Sequence, residues 1–390
     1  MRIGLFGGSF DPVHNEHIAL AQNAVKNLRL DKLFVIPAYA PPHKRGKRLA
    51  PDEVRLTACK IAFAGIKEVE VSDYEITQTG TSYSYLTCRH FKNAYPNAEL
   101  FFLMGTDMLR NFPTWKNPED ILNTVTLAVC AREEDEGWAE GENAWFFQKF
   151  GKKFLTIDYN GQAVSSTKIR VLAGAGMPLT AFMPEKTAEY IIKSGAYYIP
   201  NADKALALQK EERKNHSLRV AILSAKRAVA LGIDEKKAIC AGLFHDCAKN
   251  LREDSPLLDG FALPTQFGKV PPSVAHQFAG AFVAEKVFGV TDEEVLDAIR
   301  YHTSGRENMT ELEKLIFLAD MVEEERVYAG VEQLRTLFWE GGNLDGCLQK
   351  ALEETVAYLQ KKGAEIYPLT LQALAYYQKN KGEYKQWKIK

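Results

Sequence analysis

The sequence predicts an α/β doubly wound parallel sheet followed by an all-α helical bundle, and three observations lead to this prediction. The chain has 390 residues, which is long for a single hydrophobic core. In the first half, short apolar runs typical of buried strands alternate with stretches of helical periodicity, whereas the second half is helical by pattern almost throughout. Pro200 lies between the two patterns and suits neither a strand ladder nor a helix interior. We therefore predict one domain over residues 1–198 and another over residues 199–390.

The first strand, turn and helix predict an anion site. After a short apolar run, Gly7 and Gly8 allow the backbone to turn tightly and to approach a ligand. Helical periodicity begins near Asn15, so His14 and His17 lie three residues apart on one face of a helix N-terminus. Backbone N–H groups and the helix dipole favour an anion at this point, and two imidazoles add donors. The alternative is a structural turn with two surface histidines.

Further strands and helices alternate through the first domain. Apolar runs predict strands at residues 33–36, 69–71, 100–104 and 126–132, and a helical pattern covers residues 51–64. Right-handed crossovers between such strands place ligands outside the carboxyl ends of the strands. Gly105 and Asp107 follow one of these strands, so we expect them at that edge, although Asp107 alone would also suit a helix cap.

Two more segments carry phosphate-binding chemistry. The basic, proline-stiffened loop PPHKRGKR at residues 41–48 can cover a nucleotide, and Lys44 is its candidate phosphate contact. The segment VSSTKIR at residues 164–170 begins another predicted helix. Ser166 and Thr167 can cap this helix or present hydroxyl and N–H groups to phosphate, and Arg170 offers a bidentate donor.

These motifs resemble those of the bacterial nicotinate-nucleotide adenylyltransferases. The segment GGSFDPVHNEH at residues 7–17 is similar to the GGSFDPxHxGH signature of the nucleotidyltransferase superfamily, with Glu16 in place of the usual glycine. The segments PPHK, TSYS, GTDML, FPTWK, TLAVCAR and VSSTKIR follow in that family's order, and the resemblance covers residues 1 to about 195. It implies a Rossmann-like nucleotidyltransferase fold.

The resemblance implies a reaction, a cofactor and a set of residues. The phosphate of nicotinate mononucleotide attacks the α-phosphorus of ATP in line, pyrophosphate leaves, and Mg²⁺ accompanies the ATP. Trp115 matches the family tryptophan that stacks on the pyridine ring, which favours this substrate over the phosphopantetheine used by a related adenylyltransferase. The implied catalytic residues are His14, His17, Lys44 and Arg170. The implied substrate-binding residues are Gly7, Gly8, Ser9, Phe10, Ser82, Tyr83, Gly105, Asp107, Trp115, Arg132, Ser166 and Thr167.

The second half contains a group of histidines and aspartates. Helical patterns cover residues 204–231, 235–248, 273–288, 292–301, 311–328 and 344–361. Imidazole and carboxylate ligands without sulfur suit iron, manganese, cobalt or zinc, and an aspartate beside a histidine can bridge two ions. The alternative is that each histidine is separately buried, which explains poorly why six such residues recur on successive helices. They are His216, His245, Asp246, His276, His302 and Asp320.

The order of these six residues resembles that of the HD-domain metallophosphohydrolases. The segments AGLFHDCAKNL, IRYHTSG and IFLADMVEEER are similar to the YqeK-type hydrolases, which cut diadenosine tetraphosphate symmetrically into two ADP. The resemblance covers about residues 203–377 and implies a dinuclear metal centre with ions about 4 Å apart. One ion would be held by His216, His245, Asp246 and Asp320, and the second by Asp246, His276 and His302.

The same resemblance suggests roles for residues beside the ligands. It implies that Asp246 is catalytic. Lys249, one turn after His245 and Asp246, is placed to contact substrate phosphate or a carboxylate, and Thr303 is placed to orient its neighbour through a hydrogen bond. Gln277 stands where the family commonly has alanine, and we expect it to alter the surroundings of the ligands more than the ligands. We expect iron as the metal, with manganese, cobalt or zinc as alternatives. A phosphatase of other nucleotide specificity and a non-catalytic, metal-bound regulatory or dimerisation module are alternative functions.

The bulk composition excludes several kinds of partner. Lys+Arg 49 against Asp+Glu 50 gives a net charge of −1, and neither half is a polycation suited to nucleic acid. No apolar run approaches the ~20 residues that span a bilayer, so we expect no membrane contact. The 6 cysteines show no C-x-x-C pair, which fits a reducing cytoplasm. The expected partners are ATP, nicotinate mononucleotide and diadenosine tetraphosphate, and the sequence leaves homo-oligomerisation open.

Overall fold

The computed structural model describes residues 1–40, 49–78, 80–132, 138–159 and 164–379. The chain divides into two compact units. The first comprises Met1–Arg170 and Pro178–Tyr197, and the second comprises Val171–Met177 and Tyr198–Lys390. The short segment Val171–Met177 therefore groups with the second unit, which the periodicity of the sequence does not reveal. We keep residues 1–198 and 199–390 as the proposed domain limits.

A six-stranded sheet forms the centre of the first unit. Its strands are β1 (Arg2–Gly8), β2 (Lys32–Pro37), β3 (Val69–Val71), β4 (Glu99–Gly105), β5 (Thr126–Arg132) and β6 (Leu155–Tyr159). They lie in the order β3-β2-β1-β4-β5-β6, and every neighbouring pair is parallel. The strand order reverses between β1 and β4, and ligands of such sheets bind at the carboxyl ends beside this switch point. The predicted doubly wound parallel sheet is confirmed.

Helices connect these strands and follow the last one. The four residues from Ile3 to Phe6 of β1 are all buried, as expected for a parallel strand that is covered on both faces. The helices are α1 (Asn15–Asn27), α2 (Asp52–Phe63), α3 (Tyr74–Thr77), α4 (Ser84–Ala94), α5 (Thr106–Asn111), α6 (Pro118–Thr124), α7 (Trp138–Phe150), α8 (Ser166–Gly174) and α9 (Glu185–Ser194).

The predicted strands of the first domain are confirmed, and one strand was missed. β3 and β5 have the predicted limits, and β2 and β4 extend one residue further at each end. The missed strand, β6, pairs only with β5 among the described residues and therefore forms an edge of the sheet. Leu155 is 41% exposed while Ile157 is buried, so β6 lacks the continuous apolar run that identifies a central strand.

The second unit consists of helices, as predicted, but several limits differ. The pattern at residues 204–231 is interrupted near Gln209, whose side chain is buried and accepts a hydrogen bond from Ser217 at 2.8 Å. The patterns at 235–248 and 311–328 end earlier, and two helices near the C-terminus were missed. The helices are α10 (Ala202–Ala207), α11 (Glu211–Leu231), α12 (Glu235–Phe244), α13 (Pro272–Lys286), α14 (Glu293–Arg300), α15 (Glu311–Val322), α16 (Val331–Glu340), α17 (Asp345–Lys361) and α18 (Pro368–Lys379).

A close helix crossing brings α11 and α12 together. A Cβ atom on Gly242 of α12 would lie 2.7 Å from the Cα atom of Ala221 on α11, which is closer than side-chain atoms pack against backbone. The absence of a side chain at Gly242 therefore sets the distance between the two helices. Among the described residues, no helix combines the length and apolar character that crossing a membrane requires.

Candidate active sites in the two units

The turn after β1 leads to the predicted phosphate site. Its left-handed residue is Phe10, with a φ of 45°, and not one of the glycines that were expected to make the turn. A Cβ atom on Gly8 would lie 3.1 Å from the Phe10 ring, and one on Gly7 would lie 3.7 Å from Phe102. Gly8 therefore allows close packing against Phe10, which in turn contacts the ring of His17 at a centroid distance of 4.9 Å.

His14 and His17 lie together at the start of α1, as predicted. His14 is the N-cap residue, and the two ring centroids are 3.8 Å apart. The backbone N–H of His14 donates to Nδ1 of His17 at 3.2 Å, so the neutral His17 ring carries its proton on Nε2. His14 is almost fully buried, and burial lowers its pKa to about 4. The His14 imidazole is therefore a neutral hydrogen-bond donor at neutral pH, beside the positive end of a helix dipole.

The predicted residues at the start of α8 lie against this turn. Ser166 Oγ donates to the carbonyl of Pro12 at 3.3 Å. Arg170 is buried, and its guanidinium donates to the carbonyl of Asp11 at 2.6 Å and to Thr167 Oγ1 at 2.9 Å. The structure therefore assigns Arg170 a role in holding the turn, besides the phosphate contact that the family resemblance implies.

Three buried residues behind the turn were not singled out from the sequence. Asp11 Oδ1 accepts hydrogen bonds from Tyr197 Oη at 2.7 Å and from the N–H of Ala50 at 3.1 Å. The fully buried Arg55 donates to the carbonyl of Ser9 at 2.8 Å. Burial and the Asp11 carboxylate raise the pKa of Tyr197, which keeps its hydroxyl protonated as a donor. Asp11 lies inside the GGSFDP segment, but its partners are distant in sequence.

The remaining predicted residues of the first unit lie at several places. Gly105 ends β4 beside β1, and Asp107 lies in the first turn of α5. Ser82 Oγ accepts from the N–H groups of Tyr39 at 3.0 Å and Ala40 at 3.3 Å, and therefore fixes the segment after β2. Tyr83 is the N-cap of α4, and the ring centroids of Trp115 and Phe112 are 5.3 Å apart. Lys44 lies outside the described residues. Arg132 ends β5, and its side chain also lies outside the described part of the chain.

The six predicted metal ligands of the second unit lie in one cluster. They are carried by α11, by the turn that follows α12, by α13, by the turn that follows α14 and by α15. Five of them are buried, and Asp320 is half-buried. Three overlapping groups have ligand atoms within 4.8 Å of one another: His216, His245 and Asp246; His245, His302 and Asp320; and Asp246, His276 and His302.

Asp246 lies at the centre of this cluster. Its Oδ1 atom is 3.4 Å from Nε2 of His276 and 3.5 Å from Nε2 of His302, and its Oδ2 atom is 3.5 Å from Nε2 of His245. Among the described residues, Oδ1 of Asp246 and Nε2 of His245 are buried without a hydrogen-bond partner, whereas Nε2 of His216 lies 2.8 Å from Oδ1 of Asp320. Buried polar atoms of this kind are costly unless a ligand satisfies them, so the donor set fits a divalent metal.

Hydrogen bonds on the outer side orient the imidazoles. Nδ1 of His245 donates to the carbonyl of Gly242 at 2.7 Å, and Nδ1 of His302 donates to the carbonyl of Ile299 at 2.7 Å. Each bond fixes the tautomer that leaves an Nε2 lone pair directed to the cluster, as metal ligation requires. Nδ1 of His216 lies 3.2 Å from Oε1 of Glu323 while its Nε2 faces Asp320.

The electrostatics of the cluster favour metal-binding protonation states. Burial raises the pKa of Asp246, but His245 and His302 outweigh this effect and hold it well below its usual value. Burial, with contributions from His302 and Lys249, lowers the pKa of His276 to about 2. The central carboxylate is therefore ionised and His276 is neutral over the physiological pH range, which are the forms that bind metal.

Three residues beside the ligands have defined contacts. Lys249 Nζ lies 2.9 Å from Nε2 of His276. Thr303 Oγ1 lies 3.0 Å from the same nitrogen. Thr303 therefore contacts His276, whereas we expected a hydrogen bond to its neighbour in the sequence. Gln277 Oε1 accepts from the N–H groups of Thr303 and Ser304 at 3.0 Å each and so fixes the turn that follows His302, which agrees with an effect on the surroundings of the ligands.

Sequence reasoning missed three charged residues that contact the cluster. Glu323 accepts from Arg219 at 2.6 Å and lies beside His216. Arg213 pairs with Asp246 at 2.9 Å, and Arg326 pairs with Asp320. Glu323 and Arg326 belong to the IFLADMVEEER segment, where the only signal is their spacing of three and six residues after Asp320.

Comparisons with known proteins agree with both sites. A cytidylyltransferase-like family model matches residues 5–172, and an HD-domain model matches residues 213–325. The chain is 30% identical to the "Probable nicotinate-nucleotide adenylyltransferase/Ap4A hydrolase" of Mycoplasma pneumoniae, over 83% of this chain and 89% of that protein. A protein of the same name from Mycoplasma genitalium is 29% identical, over 83% of this chain and 88% of that one.

A further relative matches the first unit alone. The "Probable nicotinate-nucleotide adenylyltransferase" of Clostridium tetani is 35% identical, over 50% of this chain and 97% of that protein. The first unit thus resembles a free-standing protein, while the match to the Mycoplasma proteins extends through both units in the same order. The chain therefore belongs to the family of two-part nicotinate-nucleotide adenylyltransferase/Ap4A hydrolases.

Proposed function

We propose that this protein is a bifunctional enzyme. Residues 1–198 transfer the adenylyl group of ATP to nicotinate mononucleotide, giving nicotinate adenine dinucleotide and pyrophosphate, as in NAD biosynthesis. Residues 199–390 hydrolyse diadenosine tetraphosphate symmetrically to two ADP. The observation that carries the second assignment is the convergence of imidazole Nε2 atoms on the buried carboxylate of Asp246.

The first reaction is a displacement at phosphorus. An oxygen of the mononucleotide phosphate bonds to the α-phosphorus of ATP while the bond from that phosphorus to the β-phosphate oxygen breaks. Catalysis then consists of alignment and neutralisation of charge. His14 and His17 donate hydrogen bonds to the phosphates at the start of α1, where their rings already lie 3.8 Å apart. Lys44 and Arg170 add positive charge, Mg²⁺ accompanies ATP, and the other substrate contacts are those that the family resemblance implies.

The second reaction uses the cluster of six ligands. We propose that His216, His245, Asp246 and Asp320 hold one divalent ion and that Asp246, His276 and His302 hold another, with iron as the expected metal. When bound there, such ions would lower the pKa of a water molecule and would neutralise negative charge on phosphate. Lys249 donates to the substrate phosphate from beside His276, and the ionised Asp246 holds the two ligand groups together.

We propose a cytoplasmic location because all six cysteines are free thiols, which is typical of a reducing compartment. The proposed partners are small nucleotides, and the oligomeric state is left open. Metal analysis of the purified protein tests the choice of iron. If it finds manganese, cobalt or zinc at two ions per chain, that metal would be assigned in place of iron.

The decisive experiment is chromatography of nucleotides after the metal-loaded protein is incubated with diadenosine tetraphosphate alone. Two ADP per substrate, absent with the His245→Ala variant, is the expected result. ATP with AMP would indicate an asymmetrical cut. Unchanged substrate in protein that contains metal would favour a regulatory module, and phosphate release from mononucleotides would favour a phosphatase.

A further inference from the structure

Two arginines at the metal-ligand cluster have unused hydrogen-bonding capacity. Arg213, in the first turn of α11, donates to Oδ2 of Asp246 at 2.9 Å, and its side chain is 30% exposed. Arg326 lies beyond the end of α15, donates to the carbonyl of Asp320 at 2.8 Å and pairs with its carboxylate; its side chain is 35% exposed. A guanidinium has five N–H donors, and Asp246 is the one acceptor of Arg213 among the described residues.

The two arginines bring more positive charge than is needed to neutralise the carboxylates of Asp246 and Asp320 once metal is bound. Asp246 and Asp320 also belong to the candidate metal groups, so divalent ions bound there would neutralise the same oxygen atoms. With such ions present, the positive charges of the cluster exceed its negative charges. A partly exposed guanidinium that has surplus donors is a typical partner of phosphate, since its planar fork matches two phosphate oxygens.

A third cation lies beside the same ligands. Lys249 Nζ is 2.9 Å from Nε2 of His276, which belongs to one candidate metal group with Asp246. The three side chains come from three different elements and surround one group of ligands. Like charges so placed repel one another, and a polyanion bound among them would remove that repulsion.

We propose that Arg213 and Arg326 bind the polyphosphate chain of the substrate, each held in place by a carboxylate that also belongs to the metal centre. This inference rests on the proposed hydrolysis of a dinucleoside polyphosphate and names the residues that select it. A mononucleotide offers one phosphate group and fills fewer of these donors, so the arginines favour a substrate with several linked phosphates over a nucleoside monophosphate.

The test uses the full chain with metal bound and the variants Arg213→Gln and Arg326→Gln. Arg300→Gln is the matched control, because Arg300 is also paired with an aspartate, Asp297, and its side chain is 29% exposed. Three quantities are measured: metal content, KM and kcat for diadenosine tetraphosphate, and the Kd of a methylene-bridged, non-hydrolysable analogue. The His245→Ala variant provides the blank for analogue bound elsewhere on the chain.

We expect both variants to keep two metal ions while KM and the analogue Kd rise roughly ten- to hundredfold, the effect of losing a charged hydrogen bond. The value of kcat should change less, because the contact is made before and during the reaction alike. Arg300→Gln should resemble the wild type.

Other outcomes overturn the proposal. Unchanged KM and Kd would mean that the arginines only neutralise carboxylates, and loss of metal from either variant would mean that they support the ligands. If the wild type binds the analogue without hydrolysing the substrate, the proposed hydrolysis fails while weaker analogue binding in the variants would still support the arginine site.

Discussion

Single residues set the protonation state of the phosphate site. His14 is buried at the start of α1, and burial lowers its pKa from 6.5 to about 4. The ring therefore stays neutral in the folded protein while the same ring in the unfolded chain takes up a proton below pH 6.5. This difference is a cost of folding that appears only at acidic pH. His14 is thus arranged to donate a neutral hydrogen bond, while the positive charge beside the turn belongs to the guanidinium of Arg170.

The burial of His14 predicts a pH dependence of stability. Between pH 7 and pH 5 the His14 imidazole binds a proton in the unfolded state but not in the folded state. The unfolding free energy of the first unit should therefore fall by about 2 kcal/mol because of this residue. Urea unfolding at the two pH values should therefore show a smaller pH effect in His14→Asn than in the wild type. His90→Asn, at an exposed histidine whose pKa burial also lowers, should reduce the pH effect less than His14→Asn does. An equal pH effect in His14→Asn and the wild type would contradict the prediction.

The contact between Glu323 and His216 leads to a second prediction, which concerns metal affinity. Glu323 is buried, and its Oε1 atom lies 3.2 Å from Nδ1 of His216, whose Nε2 faces the cluster. Removing such an outer partner typically weakens metal binding about 10–100-fold, because the imidazole loses its orientation and basicity. We expect Glu323→Ala to show this loss when metal is competed by a chelator, with the neighbouring exposed Glu324→Ala unchanged. If Glu323→Ala binds metal with wild-type affinity, Glu323 does not support the metal site.

At the scale of elements, the crossing of α11 and α12 determines the cluster's dimensions. His216 lies on α11, and His245 caps the end of α12, so their separation follows the distance between the helix axes. Gly242 makes that distance short, and its carbonyl also accepts the hydrogen bond from His245. One small residue thus serves both helix packing and ligand orientation.

Gly242→Ala should therefore disturb both stability and metal binding. The added Cβ atom would lie 2.7 Å from the Ala221 backbone, which cannot move aside as a side chain can. We expect a loss of roughly 1–3 kcal/mol in the unfolding free energy of the second unit, together with a lower metal content. Gly346→Ala is the control, because nothing lies within 4 Å of its Cβ position on α17. Equal stability and metal content in Gly242→Ala and this control would show that the crossing tolerates a side chain.

At the scale of the whole molecule, the two reactions should be separable by mutation. The proposed phosphate site consists of residues of the first unit, and the six candidate metal ligands belong to the second. We expect His17→Ala to remove pyrophosphate formation from ATP and nicotinate mononucleotide while hydrolysis of diadenosine tetraphosphate continues. His245→Ala should have the opposite effect. Loss of both activities in a variant that retains the wild-type circular dichroism spectrum would contradict separate sites.

A bifunctional chain must also spare its own product. Nicotinate adenine dinucleotide carries two linked phosphates where diadenosine tetraphosphate carries four, so it offers the arginines and Lys249 a shorter chain. We expect the metal-loaded protein to leave purified nicotinate adenine dinucleotide intact over a period in which it consumes diadenosine tetraphosphate. Rapid appearance of mononucleotides from the dinucleotide would show that the second site does not distinguish substrates by the length of their phosphate chain.

The sequence by itself determined the two fold classes and most of the residues that lie together at the two candidate sites. β1, β2, β4 and β5 were predictable because parallel strands buried on both faces are largely continuous apolar runs, whereas β3 is a short edge strand of two valines around an exposed glutamate. The histidine pair was predictable because helical spacing alone brings residues 14 and 17 together. The metal ligands were identifiable by residue type and order, and the structure brings all six within one cluster.

Only the tertiary structure determined which residues support these sites. Glu323 is 107 positions from His216, Tyr197 is 186 positions from Asp11, and Arg213 is 33 positions from Asp246. Local periodicity holds no information about such pairs, because the contacts depend on how separate helices and strands pack. The edge strand β6 was missed for a related reason: its pairing comes from β5 and not from a continuous apolar run of its own. Sequence thus supplies the reacting groups, and packing supplies the partners that orient them.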